Sequence, residues 1–153
     1  MGSRLNKPMP ATSVNNVCAM FRTAGRRVTP QRRAIVRVLL GEETHLTADQ
    51  ILTEVRRQLP SISPATVYNT LHELSELGLV RELDLGLGMG ERRYDVATGR
   101  HDHVVCLVCG RMEDVPPAGA LGECGHEHDF EIVDRRVTYI GYCPDCAAET
   151  DVQ

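Results

Sequence analysis

The stretch from Ser63 to Leu71 reads Ser-Pro-Ala-Thr-Val-Tyr-Asn-Thr-Leu, and it decides the fold of the N-terminal half of this chain. Ser63 followed by Pro64 is typical of a helix start, because serine caps the first turn and proline fits the first helical position. Val67, Leu71 and Leu74 recur at helical spacing, which predicts one buried stripe. Four other side chains then point away from that stripe: Ala65, Tyr68, Asn69 and His72.

The neighbouring sequence predicts three helices before this one and a hairpin after it. Upstream helices are predicted by an apolar stripe around Val17, Met20, Phe21 and Ala24, by Thr29-Pro30, and by the capping box of Thr47 with Gln50. Downstream, strands are predicted at Leu79–Leu83 and Arg92–Asp95, joined by a glycine-rich tip at 86–90. This order is typical of a winged helix-turn-helix domain that binds DNA. A small helical bundle with an ordinary solvated face is the alternative.

After Asp95 the pattern changes to short β-rich segments. Strands are predicted at Val104–Val108, Glu131–Val133 and Val137–Tyr142, with a loop over Pro116–His128. We therefore predict an α+β protein: a disordered arm over 1–12, a winged helix-turn-helix domain over 13–97, and a small α/β domain over 98–153.

Charge follows the same division of the chain. The net charge is −4, but residues 1–99 carry 13 basic and 10 acidic side chains, and residues 100–153 carry 4 and 11. Between Pro8 and Gly41 there are six arginines and no acidic residue. The net positive charge of residues 1–99 favours nucleic-acid binding, although the net charge of the whole chain is negative. Because the longest apolar run, Val104–Cys109, is far shorter than a membrane span, we expect no membrane partner. The N-terminus has no apolar stretch that could serve as a signal peptide, so we expect a cytoplasmic protein.

Two C-x2-C pairs lie in the C-terminal half. Cys106 with Cys109, and Cys143 with Cys146, predict a tetrahedral structural Zn²⁺ site. The alternatives are two unrelated pairs, or a redox pair at Cys143 and Cys146, which is disfavoured because Cys143 is expected to end a strand. Cys18 and Cys124 are interpreted as bystander thiols.

A second group of possible ligands precedes the first cysteine pair. His101-Asp-His103 would place both imidazoles on one face of an extended segment, as chelation requires. An exposed polar turn is the ordinary alternative. His126-Glu-His128 is interpreted as simple solvation rather than as a further ligand pair.

With these motifs together, the chain resembles the ferric uptake regulator (Fur) superfamily from about Asn15 to Ala147. The matching stretches include Arg27–Arg32, His45–Asp49, Ser63–Leu71, Arg93–Asp95 and both cysteine pairs. The resemblance implies a homodimeric, metal-dependent repressor rather than an enzyme, with an N-terminal winged helix and a C-terminal dimerisation domain. A metalloenzyme and a thiol redox protein remain as alternatives of other classes.

The resemblance also implies a regulatory metal, Fe²⁺ or Mn²⁺, at the hinge between the domains. The peroxide-sensing branch holds it with three histidines and two aspartates, and the matching positions here are His45, Asp95, His101, His103 and Asp114. Iron sensors of the superfamily usually have Glu at the position of Asp114. The implied function is therefore peroxide sensing by metal-catalysed oxidation of His45 or His101. A repressor that senses only iron or manganese is the alternative.

The implied partner is double-stranded DNA with a palindromic operator. We expect contacts from the polar face of the helix that starts at Ser63 and from the arginine-rich segment before it. The expected contact residues are Tyr68, Asn69, Thr66, Ala65, Arg27 and Arg32.

Overall fold

The computed structural model describes residues 13–41, 45–85, 92–96, 99–119 and 135–149. The described residues fall into two compact units, 13–96 and 99–149. Four predicted features lie outside or largely outside the described residues: the arm at 1–12, the tip at 86–90, the strand Glu131–Val133, and residues 120–128 with Cys124, His126 and His128. In the described part of the chain, no helix has the length and apolar character needed to cross a bilayer.

The N-terminal unit contains four helices, each started by a capping side chain. They are α1 (Val14–Thr23), α2 (Pro30–Leu39), α3 (Ala48–Arg56) and α4 (Pro64–Glu76). Ser13, Thr29, Thr47 and Ser63 are the caps, and each accepts a hydrogen bond from the backbone N–H three residues on. The predicted capping box of Thr47 and Gln50 is present. The sequence predicted the caps Thr29, Thr47 and Ser63 correctly, because capping is a local interaction, whereas Ser13 was not predicted as a cap.

One hydrophobic core holds these helices together. Val67, Leu71 and Leu74 of α4 are fully buried against residues of the other helices, among them Phe21, Ile35 and Ile51. The predicted stripe of α1 is correct at Val17 and Phe21 but wrong at Met20 and Ala24, which are exposed, while Cys18 is buried instead. α1 therefore packs against the core through a narrower face than its apolar stripe suggests, and Met20 and Ala24 remain in solvent.

The wing is part of a three-stranded antiparallel sheet. Its strands are β1 (Leu46–Thr47), β2 (Val80–Leu83) and β3 (Arg93–Val96), in the order β1-β3-β2. The two-residue strand β1 was not predicted from the sequence. Leu46 pairs with Tyr94, and Thr47 pairs with Arg93, so β1 fixes the residue that precedes it, His45, beside the wing.

The described part of the C-terminal unit is a second three-stranded sheet with a short helix. Its strands are β4 (Asp102–Cys106), β5 (Met112–Val115) and β6 (Thr138–Gly141), and β4 is central. β5 and the helix α5 (Pro144–Glu149) were not predicted. The predicted strand Val104–Val108 is displaced, because the backbone turns at the first cysteine pair, where the Gly110 N–H bonds to the Cys106 carbonyl at 3.0 Å. The α+β class with a winged helix-turn-helix is confirmed.

Candidate metal centres and nucleic-acid interface

The four predicted zinc ligands form one cluster at the end of the C-terminal sheet. Cys106 ends β4, Cys109 lies in the following turn, and Cys143 and Cys146 flank the start of α5. One sulfur from each residue lies within 4.8 Å of the other three, and Cys109 Sγ is 3.7 Å from Cys143 Sγ. Sulfurs bound at roughly 2.3 Å around a tetrahedral Zn²⁺ lie about 3.8 Å apart. The cluster therefore fits a closed structural zinc site.

The thiols of this cluster differ in acidity. Backbone N–H groups of Cys109 and Cys143 donate to the Cys106 sulfur, which lowers its pKa to about 6. The hydrogen bond of the Cys146 thiol with Cys143, followed by burial, raises the pKa of Cys146. Zinc must therefore displace the Cys146 proton, so the affinity of the cluster for zinc falls as pH falls.

The sequence argument against a redox pair was wrong in one respect. β6 ends at Gly141, and Cys143 directly precedes α5, so this pair does lie at a helix start. What favours metal is the convergence of all four sulfurs, none of which is in a disulfide.

A second ligand group occupies the same sheet at the opposite end of β4. Asp114 of β5 is paired directly across from His103 of β4. The Nε2 atoms of His101 and His103 each lie 3.6 Å from Asp114 Oδ1, too far for a hydrogen bond. Ligand atoms that share an ion at about 2.1 Å are separated by roughly 3.0 to 3.5 Å, so the group needs only a small contraction to chelate. The prediction that both imidazoles face the same side is confirmed.

The remaining predicted ligands lie together in the N-terminal unit. His45 and Asp95 are both buried, and His45 Nε2 is 3.9 Å from Asp95 Oδ1. His45 has a φ of 59°, the left-handed conformation, which non-glycine residues rarely adopt. Arg93 of β3 donates to the His45 carbonyl oxygen at 3.3 Å. Backbone pairing and the Arg93 bond therefore hold a strained ligand in place.

The helix α4 presents the polar face that the sequence predicted. Ala65, Tyr68 and Asn69 are exposed, and Thr66 is half-buried. The Tyr68 ring is 48% exposed, and its hydroxyl lies 3.4 Å from Asp49 Oδ1 of α3. Such an aromatic and amide pair on an outer helix face is available to base edges and thymine methyl groups.

The two predicted arginine contacts differ. Arg27 is exposed, so its guanidinium is available to a phosphate. The Arg32 side chain is held by contacts within the protein. Its guanidinium donates a hydrogen bond to the Arg27 carbonyl oxygen at 2.7 Å and forms an ion pair with Glu73 of α4. It also lies over the Phe21 ring. We therefore interpret Arg32 as a link between α2 and α4.

Sequence reasoning missed a buried residue between two ligands. Asp102 lies between His101 and His103 and is only 2% exposed. Its carboxylate accepts a hydrogen bond from the Ala118 N–H at 2.9 Å and forms an ion pair with Arg135 at 3.4 Å. The available signal was the strand alternation itself, which places Asp102 on the face opposite the histidines.

A helix-turn-helix with a wing, followed by a unit with a four-sulfur cluster and a histidine–aspartate group, defines a metal-dependent transcriptional regulator. The chain belongs to the ferric uptake regulator family, whose model matches residues 23–140. Members of this family bind DNA as dimers and are regulators rather than enzymes. The metalloenzyme and thiol redox alternatives are therefore excluded.

Similarity to PerR proteins places the chain in the peroxide-responsive branch of that family. The peroxide-responsive repressor PerR of Staphylococcus aureus is 37% identical over 131 residues, which cover 84% of this chain and 87% of that protein. The structure of PerR from Streptococcus pyogenes matches with 28% identity and a TM-score of 0.52, covering 95% of this chain and 98% of its own. The ferric uptake regulator of Helicobacter pylori, at 22% identity and a TM-score of 0.75, covers 88% of this chain and 94% of its own and supports the fold.

The strain at His45 can be measured without a regulatory metal. Both His45→Ala and His45→Gly remove the imidazole, but only glycine adopts a positive φ without cost. We expect His45→Ala to be less stable than His45→Gly by about 1 kcal/mol in urea unfolding without added regulatory metal. Thr53, on the exposed face of α3, provides the control, because alanine there should be the more stable residue. Equal stability of the two His45 variants would contradict the strain.

The four-sulfur cluster predicts a specific loss on substitution. Cys106→Ser should lose zinc and most of the dimer, because the small unit relies on the metal for stability. Zinc content by elemental analysis and mass by light scattering check this. Cys18→Ala, which removes a thiol outside the cluster, should keep both zinc and dimer. A folded, zinc-free dimer of Cys106→Ser would show that the cluster is dispensable.

Proposed function

We propose that this protein is a dimeric repressor that uses a bound divalent ion to sense hydrogen peroxide. Structural Zn²⁺ is held by Cys106, Cys109, Cys143 and Cys146, and the regulatory ion, Fe²⁺ or Mn²⁺, by His45, Asp95, His101, His103 and Asp114. The observation that carries the proposal is the placement of His101 and His103 at equal distances from one oxygen of Asp114. Mixed imidazole and carboxylate ligands suit Fe²⁺ and Mn²⁺.

The proposed switch couples metal binding to DNA binding. His45 and Asp95 belong to the unit that carries α4, whereas the other three ligands belong to the C-terminal unit. An ion held by both groups favours one arrangement of the dimer, and a dimer with its recognition helices fixed binds DNA more tightly. Loss of one ligand therefore weakens repression.

Peroxide acts on the ligands themselves in this proposal. A bound Fe²⁺ would supply the electron-transfer chemistry through which H₂O₂ oxidises a nearby imidazole: one oxygen atom of H₂O₂ would be added at a ring carbon, and the other would leave as water. The oxidised ring of His45 or His101 would carry N–H groups beside the new carbonyl and would be a poor metal ligand.

The DNA partner is proposed to be a palindromic operator bound in the cytoplasm. The two α4 helices of a dimer would enter successive major grooves, with Ala65, Thr66, Tyr68 and Asn69 toward the bases. Exposed Arg27 would contact a phosphate, whereas Arg32 would act through Glu73 by holding α4 in position. Palindromy follows from the two-fold symmetry of a dimer.

Substitution on α4 tests the DNA interface. Tyr68→Ala should weaken binding to a specific operator by about 1–3 kcal/mol, while zinc, dimer and regulatory metal persist. Fluorescence anisotropy over a salt series measures this, and the salt slope should stay unchanged because no phosphate contact is lost. Arg27→Gln serves as the comparison, since it should lower both affinity and salt slope. Full operator affinity in the double variant Tyr68→Ala with Asn69→Ala would refute the assignment.

Peroxide treatment tests the sensing mechanism. The Fe²⁺ protein should release its operator on exposure to H₂O₂, and a peptide containing His45 or His101 should gain the mass of one oxygen. The Mn²⁺ protein should keep its operator, because Mn²⁺ reacts poorly with peroxide. Peptide mass spectrometry and anisotropy on the same samples measure both effects.

The length of the Asp114 side chain gives a matched variant. Asp114→Glu should keep metal-dependent DNA binding but respond less to peroxide, because the longer side chain changes the geometry offered to iron. If the wild-type Fe²⁺ protein keeps its operator with unmodified histidines, it is an iron or manganese sensor instead. A metal-dependent repressor would remain in that case.

A further inference from the structure

Buried Asp102 forms an ion pair with half-buried Arg135 at the end of the C-terminal sheet. The Asp102 side chain is 3% exposed, and Arg135 Nη2 lies 3.4 Å from its Oδ2. The same carboxylate oxygen accepts from the Ala118 N–H at 2.9 Å, and Arg135 also donates to the Ala118 carbonyl oxygen. Three separate segments therefore meet at one carboxylate: the start of β4, the chain after β5, and the chain before β6.

The ion pair lies where the backbone pairing of the sheet runs out. Asp102 is the first residue of β4, and its partner across the sheet, Val115, is the last of β5. The described bonding of β4 with the β6 side begins at His103, whose N–H donates to Val137 at 3.0 Å. Asp102 thus lies at the end of the sheet, one residue N-terminal to that hydrogen bond. Asp102 is flanked by His101, which directly precedes β4, and by His103 within it.

Strand geometry links this ion pair to the histidines. Side chains alternate across a strand, so the Asp102 carboxylate anchors one face while His101 and His103 project from the other. A carboxylate this deeply buried requires its partners, since an unpaired buried charge is costly. Fixing the Asp102 side chain fixes the rotation of β4 about its axis, and through it the direction of both imidazoles toward Asp114.

We propose that Asp102 and Arg135 are positioning residues for the regulatory metal: they hold His101 and His103 in chelating geometry without touching the ion. The inference rests on the regulatory site of the proposed function, but not on its peroxide chemistry. Residues that orient metal ligands from behind commonly change metal affinity by about 10- to 100-fold. Excess metal should compensate for such a defect, because the ligands themselves remain.

The test measures Mn²⁺ affinity of the zinc-loaded, full-length dimer by titration calorimetry. Arg135→Gln and Asp102→Asn should each weaken Mn²⁺ binding by about 10- to 100-fold. Zinc content and dimer mass should stay unchanged, and saturating Mn²⁺ should restore operator binding. The double variant should bind Mn²⁺ no more weakly than the weaker-binding of the two single variants, because both substitutions remove the same interaction. Arg136→Gln removes the same charge from the neighbouring exposed residue and should bind Mn²⁺ as wild type does.

A purely structural ion pair gives a different result. Unchanged Mn²⁺ affinity in Arg135→Gln and Asp102→Asn, even with a lowered melting temperature, would overturn the proposal. If Arg135→Gln loses its zinc, Asp102→Asn decides, since asparagine keeps the shape and an acceptor for Ala118. If the His101→Ala variant binds Mn²⁺ as tightly as the wild-type protein does, the regulatory site itself is refuted. Failure of the peroxide experiment alone leaves this prediction in force.

Discussion

The four-sulfur cluster is the constraint on which the C-terminal unit depends. The hydrophobic core lies among residues of the N-terminal unit, and the described C-terminal residues bury few apolar side chains beyond Val105 and Met112. A sheet with so little apolar burial needs a crosslink to offset the entropy of folding. Cys106 ends the central strand and Cys143 follows β6, so a metal at the cluster joins the strands that position His103 and, through β5, Asp114. On the proposal that His103 and Asp114 bind the regulatory ion, the zinc cluster stabilises the sheet from which these side chains project.

The two units position their ligands by different means. In the C-terminal unit, strand register sets His103 against Asp114, and the ion pair of Asp102 with Arg135 fixes the strand end. In the N-terminal unit, a two-residue strand and one side-chain bond from Arg93 hold His45 in a conformation that it would not adopt alone. Strand register and a side-chain hydrogen bond are thus the two means by which the structure orients His103 and His45.

Charge in the N-terminal unit serves packing as well as DNA. Arg26 and Arg32 both pair with acidic residues of α4, Glu73 and Glu76, and so are partly neutralised. Exposed pairs of this kind add little stability, but the half-buried pair of Arg32 and Glu73 fixes α4 against α2. Counting arginines in the acid-free segment therefore overstates the charge available to phosphate. Exposed Arg27 remains available to it.

The sequence by itself determined the helices α1 to α4, the caps of α2, α3 and α4, the cysteine pairs and the class of fold, because capping, helical periodicity and C-x2-C spacing are local patterns. It also indicated five regulatory ligands through family resemblance. Only the tertiary structure decided which α1 residues are buried, that Arg32 faces inward, and that β1 and β5 exist. A two-residue strand has no sequence period, and the partners of Asp102 are 16 and 33 residues away. Such contacts follow from the packing of distant segments, which local sequence does not encode.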